Sequence, residues 1–332
     1  MATNSVLLRS GQRMPLLGLG TWQAKAEEVE KAVEAALEEG YRLIDTAFNY
    51  NNEEAIGRAL KRYVDAGECK REDLFITTKL PHVGNRASDV EKYLTTSLKR
   101  LQLDYVDMYL IHVPFGFVPD SSGENPAKNE DGSFVLDETN HDAVWKAMEK
   151  QVEAGHARNI GVSNFNMSQL ERLVAKSKIP PATLQVELHA YLQQPQLRAC
   201  CAKLGIPLTA YSPLGSPGAR LHFQEKYNFQ YPEYKEPDLL EQPVVKTIAS
   251  AHDKSPAQVL LRHLVQQGII VIPKSANPKR IKENAQIFDF QLTPEEMLQL
   301  NGLDIGENGR IINFLFWKGV EKHPEYPFTL QE

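Results

Sequence analysis

Residues 15–45 read PLLGLGTWQAKAEEVEKAVEAALEEGYRLID: a short apolar run, an amphipathic stretch, and a second apolar run that stops at an aspartate. In the middle stretch Val29, Val33, Ala36 and Leu37 fall on one face at helical spacing, and Gly40 marks the stop. An apolar strand, a helix with one apolar face and another apolar strand make a βα unit feeding a parallel sheet.

The same beat continues along the chain. LFITTK precedes a helix around Val90 to Leu101, VDMYLIH one around Ala143 to Val152, and NIGVSN precedes MSQLERLVAKS. TLQVELH leads into PQLRACCAKLG, IPLTAYS into a long insertion and two helices, and IIVIPKS into NPKRIKENAQI. Counted with PLLGLG and YRLID, these are eight strands, which predicts an α/β fold of the closed (β/α)8 TIM-barrel type rather than a doubly wound open sheet. No shift in composition divides the chain, so residues 1–332 read as a single domain. The leading VLLRSGQRMPLL reads as a β-hairpin turned at SGQ that plugs one barrel end, and long loops are expected over the C-terminal face.

The composition bounds the function. Hydrophobic residues at 42% and charged residues at 24% suit a globular protein. The formal charge of −6, with acids and bases interspersed, presents no basic stripe for nucleic acid. No apolar run approaches the roughly 20 residues of a membrane span, and the start lacks a secretory h-region, so a cytoplasmic protein is expected. Cys69, Cys200 and Cys201 read as free thiols in a reducing compartment, and no ligand spacing indicates a metal.

Polar residues stand at the C-terminal ends of most strands: Asp45, Lys79, His112, Ser163 with Asn164, Tyr211 with Ser212, and Lys274 with Ser275. Each alone has a plain structural explanation, but together they point to the barrel face on which loops assemble active sites. Asp45, Tyr50, Lys79 and His112 form a set of ionisable groups suited to proton transfer. GVSNF lacks the G-x-S-x-G nucleophile elbow, which disfavours a hydrolase. A tyrosine with an unperturbed pKa of about 10 gains as a general acid from a nearby cation, and Lys79 is that candidate, with Asp45 as its counter-ion.

With these residues in place, the sequence resembles the aldo-keto reductase family over essentially its whole length. The resemblance rests on GLGTW (18–22), DTAFNYNNE (45–53), TTKL (77–80), LIHVP (110–114), GVSNF (161–165), YSPLG (211–215) and IPKSANPKRIKEN (272–284). It implies reduction of aldehydes or ketones to alcohols with NADPH/NADP+, with Asp45, Tyr50, Lys79 and His112 as the catalytic set, Tyr50 giving the proton and Lys79 lowering its pKa. It further implies that Gly20, Thr21, Trp22 and Asp45 flank the nicotinamide. Ser163, Asn164 and Gln185 would bind its carboxamide and Tyr211 would stack on it. Ser212, Leu214 and Ser216 would cover the pyrophosphate, Lys274, Ser275, Asn277 and Arg280 would hold the 2′-phosphate, and Glu283 with Asn284 would meet the adenine. Independently of the resemblance, Lys274, Lys279, Arg280 and Lys282 cluster at a strand end and helix start, a suitable place for a dianionic phosphate.

Substrate contacts are expected from Trp22, Phe48, Tyr50, His112, Val113, Phe115 and Phe117. The family's aldose reductase type carries tryptophans directly after the catalytic histidine and two places after the lysine, whereas this chain has Val113 and Pro81. A roomier pocket follows, for bulky, ketosteroid-like ketones or sugar-derived carbonyls. The 214–243 segment, with Phe223, Tyr227, Phe229, Tyr231 and Tyr234, is expected to act as a lid, and Phe314, Phe316 and Trp317 either to close the substrate side or to dock on the barrel wall. The alternative to a reductase is a non-catalytic nucleotide-binding protein on the same scaffold; a phosphate-binding lyase or isomerase would leave Ser163, Asn164 and Gln185 unexplained. A small carbonyl compound is the expected partner, and a monomer the expected state.

Overall fold

An antiparallel hairpin, β1 (Ser5–Leu7) and β2 (Arg13–Pro15), opens the chain in the computed structural model, which describes residues 4–231 and 236–329. Parallel strands β3 (Gly18–Gly20), β4 (Leu43–Asp45), β5 (Phe75–Leu80) and β6 (Met108–Ile111) follow. An excursion carries a small antiparallel ribbon, β7 (Gly116–Phe117) with β8 (Leu136–Asp137). Strands β9 (Ile160–Ser163), β10 (Leu184–Glu187), β11 (Leu208–Tyr211) and β12 (Ile270–Val271) complete an eight-stranded parallel sheet in chain order.

The sheet closes on itself. The amide of Val271 donates to the Leu16 carbonyl at 2.9 Å and that of Gly20 to the Pro273 carbonyl at 3.1 Å, joining β12 to β3. Gly20 permits this approach, because a Cβ there would lie 2.5 Å from the Ile272 carbonyl oxygen. The barrel read from the βα beat is therefore the observed fold, and a closed sheet has no edge to protect.

Helices α1 (Ala26–Glu38), α2 (Glu53–Asp65), α3 (Val90–Leu101), α4 (His141–Glu153), α5 (Met167–Lys176) and α6 (Pro195–Leu204) cover the outside between strands. In α1 the expected face of Val29, Val33, Ala36 and Leu37 is buried, and Gly40 adopts φ +88° just past its end. The hairpin plugs the N-terminal end of the barrel as expected. Its Leu8 and Met14 pack against Leu43, Phe75 and Met108, the first residues of three consecutive strands. That end is filled with hydrocarbon, which leaves the opposite face for a site.

The insertion after β11 is not a plain loop: it contains α7 (Ala219–Tyr227) before α8 (Pro243–Ala251) and α9 (Pro256–Val265). Helix α10 (Pro278–Ala285) follows β12, and α11 (Pro294–Asn301) precedes the C-terminal segment. Tyr234, expected in the lid, lies outside the described residues. The three cysteines are free thiols, and no helix among the described residues is long and apolar enough to cross a membrane.

Candidate active site

Strand β5 carries Lys79 to the C-terminal rim, where the residue is 1% exposed and its side chain points at the end of β4. Its ammonium donates to Asp45 Oδ1 at 2.5 Å and to the Thr46 carbonyl at 2.9 Å, and lies 3.4 Å from the Tyr50 hydroxyl. The other Asp45 oxygen accepts from Gln185 Nε2 at 2.7 Å, so both carboxylate oxygens are engaged. Tyr50 ends a single 3-10 turn over Phe48–Tyr50, which returns it to the lysine five residues after Asp45. The His112 ring meets the Tyr50 ring edge-on, with centroids 5.6 Å apart. The four residues expected to act together are thus in one cluster.

Their electrostatics differ from the sequence-based expectation in one respect. Burial, with the Asp45 charge second, raises the Tyr50 phenol well above its ordinary value, so the net balance does not make it more acidic. Burial also lowers Lys79, against the pull of Asp45. His112 is held well below the usual imidazole range by burial, then by Lys79 and His82. The resting site therefore contains a neutral phenol and a neutral imidazole beside a paired ammonium. An O–H and an N–H donor stand side by side, as stabilising a developing oxyanion requires.

A cavity of about 1230 Å³ opens over this cluster. It exceeds the roughly 300–1,000 Å³ of ordinary small-molecule sites, and therefore suits more than a single small compound. Its walls include Gly20, Thr21, Trp22, Ser163, Asn164, Gln185, Tyr211, Ser212, Leu214 and Ser216, all of them expected at the cofactor. The Tyr211 hydroxyl donates to Asn164 Oδ1 at 2.7 Å, and Asn164 Nδ2 donates to the His112 carbonyl at 2.8 Å, fixing the aromatic face relative to His112.

At the far end the cavity is lined by Lys274, Ser275, Arg280, Glu283 and Asn284. Of the four clustered cations, Lys282 pairs with Glu39 at 2.9 Å and Lys279 lies 3.9 Å from Glu283. Among the described residues Lys274 and Arg280 make no ion pair, and both face the cavity. Asn277 does not line it. Its side chain caps α10, accepting from the amides of Lys279 and Arg280 at 2.9 and 3.3 Å. Free cations at one end, a fixed aromatic face and polar groups in the middle, and proton-handling groups beyond fit a phosphorylated dinucleotide that spans the mouth.

Residues 16–305 match the model of the aldo/keto reductase family. The chain belongs to that family. It is 45% identical to aldo-keto reductase family 1 member A1 of Mus musculus and 44% identical to that of Homo sapiens, with 99% of each chain covered. Among solved structures it superposes on the aldose reductase from Schistosoma japonicum with a TM-score of 0.87, at 39% identity over 99% of both chains. Membership makes the protein an oxidoreductase of the carbonyl-reducing type, a family whose members use a nicotinamide cofactor.

Of the residues expected at the substrate, the structure brings some to the cavity and leaves others behind its wall. Trp22, Phe48, Tyr50, His112 and Val113 line the cavity, but Phe115 and Phe117 do not. Both are fully buried, packing behind Trp317 with ring centroids 5.9 and 5.5 Å away. The cavity wall is formed instead by Ile312, Phe314, Phe316 and Trp317 of the C-terminal segment. The insertion after β11 and that segment interlock: Phe223 of α7 stacks on Phe316 at 3.9 Å, and the Tyr231 hydroxyl donates to the Ile311 carbonyl at 2.8 Å.

Two residues of the site carry a weaker sequence signal. Glu187, fully buried, accepts the amides of Ile311 and Ile312 at 2.8 Å each and so ties the C-terminal segment to the end of β10. Its position two residues after Gln185, on the same face of the strand, is the clue. His82, just past the Lys79 strand in KLPH, lines the cavity next to Trp317, with ring centroids 5.0 Å apart.

Proposed function

We propose that the protein is an NADPH-dependent reductase of aldehydes and ketones in which Tyr50 gives the proton. The observation that carries this reading is the Asp45–Lys79–Tyr50 chain, at 2.5 and 3.4 Å, beside a neutral His112. When bound, reduced nicotinamide supplies the hydride. Ser163, Asn164 and Gln185 would hold its carboxamide and Tyr211 would back its ring, with Gly20, Thr21 and Trp22 alongside. Ser212, Leu214 and Ser216 would cover the pyrophosphate; Lys274, Ser275 and Arg280 would hold the 2′-phosphate, and Glu283 with Asn284 the adenine.

The chain's own chemistry centres on the carbonyl oxygen. His112 donates a hydrogen bond that polarises and orients it, and Tyr50 donates a second that becomes the proton transfer as negative charge develops. A phenol with a raised pKa keeps its proton until a stronger base forms, and an alkoxide is such a base. The Lys79 ammonium then steadies the phenolate, while Asp45 keeps that ammonium charged in a buried place. Val113, where aldose reductases carry tryptophan, leaves width for bulky ketones or sugar-derived carbonyls.

Loss of absorbance at 340 nm with NADPH and a generic aldehyde such as 4-nitrobenzaldehyde is the test. Turnover faster with NADPH than with NADH is the expected result. Tight nucleotide binding without turnover on any aldehyde or ketone would favour the non-catalytic alternative.

A further inference from the structure

His82 is 8% exposed and lines the cavity, yet among the described residues neither of its ring nitrogens has a hydrogen-bond partner. Nδ1 is wholly buried and unpaired. The ring is held edge-on by Phe117 and Trp317, at 5.4 and 5.0 Å between centroids, and the Trp317 indole N–H is given to the Tyr227 hydroxyl instead. Burial first, and the nearby Lys226 second, push this imidazole down to about 3, so it stays neutral. A neutral imidazole has one donor and one acceptor nitrogen, and an unpaired buried polar group carries a desolvation cost. With Nδ1 sealed away, Nε2, which no hydrogen bond occupies, is the nitrogen through which a molecule in the cavity can pair with this ring.

Its position is fixed relative to the reacting centre. Asn85, three residues on and 2% exposed, donates to the carbonyls of Val113 and Phe115 at 2.8 and 2.7 Å. The His82 turn is thereby fastened to the chain immediately after His112, and His82 is one of the groups that hold the His112 imidazole down. His82 thus shares one cavity with Tyr50 and His112, where a substrate presenting its carbonyl to that pair would sit.

We propose that His82 is a substrate-orienting residue: its imidazole hydrogen-bonds a second oxygen on the substrate, a hydroxyl or ether near the carbonyl, and selects oxygenated carbonyl compounds over hydrocarbon ones. The proposal rests on the carbonyl-reductase reading above. Hydroxyl and methyl groups are close in size, so benzaldehydes bearing one or the other at the 2, 3 or 4 position isolate the hydrogen bond from the packing. The wild-type enzyme is expected to favour hydroxyl over methyl by about tenfold in kcat/KM for at least one position, the scale of one hydrogen bond. His82→Leu should erase that ratio and His82→Gln should keep much of it, with each variant's folding checked by its thermal melt. A wild-type enzyme with no hydroxyl preference at any position overturns the proposal, as does a ratio unchanged in His82→Leu. Failure to reduce any of these aldehydes would instead count against the carbonyl-reductase reading.

Discussion

Lys79 and Asp45 are a buried ion pair, 1% and 2% exposed, and such pairs have asymmetric energetics. Removing one partner strands the other charge at a cost of about 3–5 kcal/mol, whereas removing both is far milder. Lys79→Met should accordingly destabilise the fold by about that amount in denaturant unfolding, and adding Asp45→Asn should return part of it. At the other end of the cavity Arg280, free of acidic partners, is expected to bear on phosphate recognition alone. Arg280→Ala should weaken NADPH about tenfold or more in fluorescence titration and leave NADH nearly unchanged, the scale of a charge-assisted hydrogen bond. Asp45, Lys79 and His112 are legible in the sequence because each closes an apolar strand. His82 follows no strand pattern and its meaning lies in what it lacks, a partner, which only coordinates reveal. Phe115 and Phe117 resemble lining residues in sequence, since aromaticity does not say which side of a wall a ring occupies.

Among the elements, the C-terminal segment has the most leverage on selectivity, because it contributes much of the substrate wall and Glu187 is its tie to the end of β10, beside further bonds to α5 and the insertion. Glu187 is held below its ordinary pKa: burial opposes this, but hydrogen bonding from His189 and the charges of His189 and Arg310 outweigh it. Glu187→Ala leaves the Ile311 and Ile312 amides unpaired, at about 1–3 kcal/mol each. It should reorder rates across a panel of aldehydes and ketones while changing NADPH affinity little; equal losses in both would show that the segment has no selective role. The apolar wording of this tail, INFLFW, shows that it is covered but not by what. Helix α7 is hard to read for a related reason. Its buried residues, Ala219 and Phe223, are only two, and its aromatic contacts include Trp22 near the start of the chain and Phe316 of the tail, both distant in sequence.

The whole molecule combines a hydrocarbon-filled N-terminal end with a C-terminal end rich in buried ionisable groups, and its acid stability should reflect that. Burial lowers the pKa of His82, His112, His141 and His263 in the folded state. Below the unfolded value of about 6.5 the unfolded chain therefore binds more protons, at up to about 1.4 kcal/mol per pH unit for each group. Stability should be fullest above that pH and fall as pH drops; the lowered carboxyl of Glu187 acts in the same direction at lower pH. Thermal melts from pH 7.5 to 5 should show a falling Tm, and a flat profile would contradict the burial of these imidazoles. The barrel itself is legible from the βα beat because strand and helix periods differ so clearly. Its closing seam is not, since it depends on Gly20 approaching the Ile272 carbonyl, a contact between the first and last strands. The most direct test of the account is Tyr50→Phe followed with a generic aldehyde. NADPH binding should persist while its oxidation at 340 nm falls by about 10²–10⁴-fold, the range of a lost general acid; turnover near the wild-type rate would contradict Tyr50 as the proton donor.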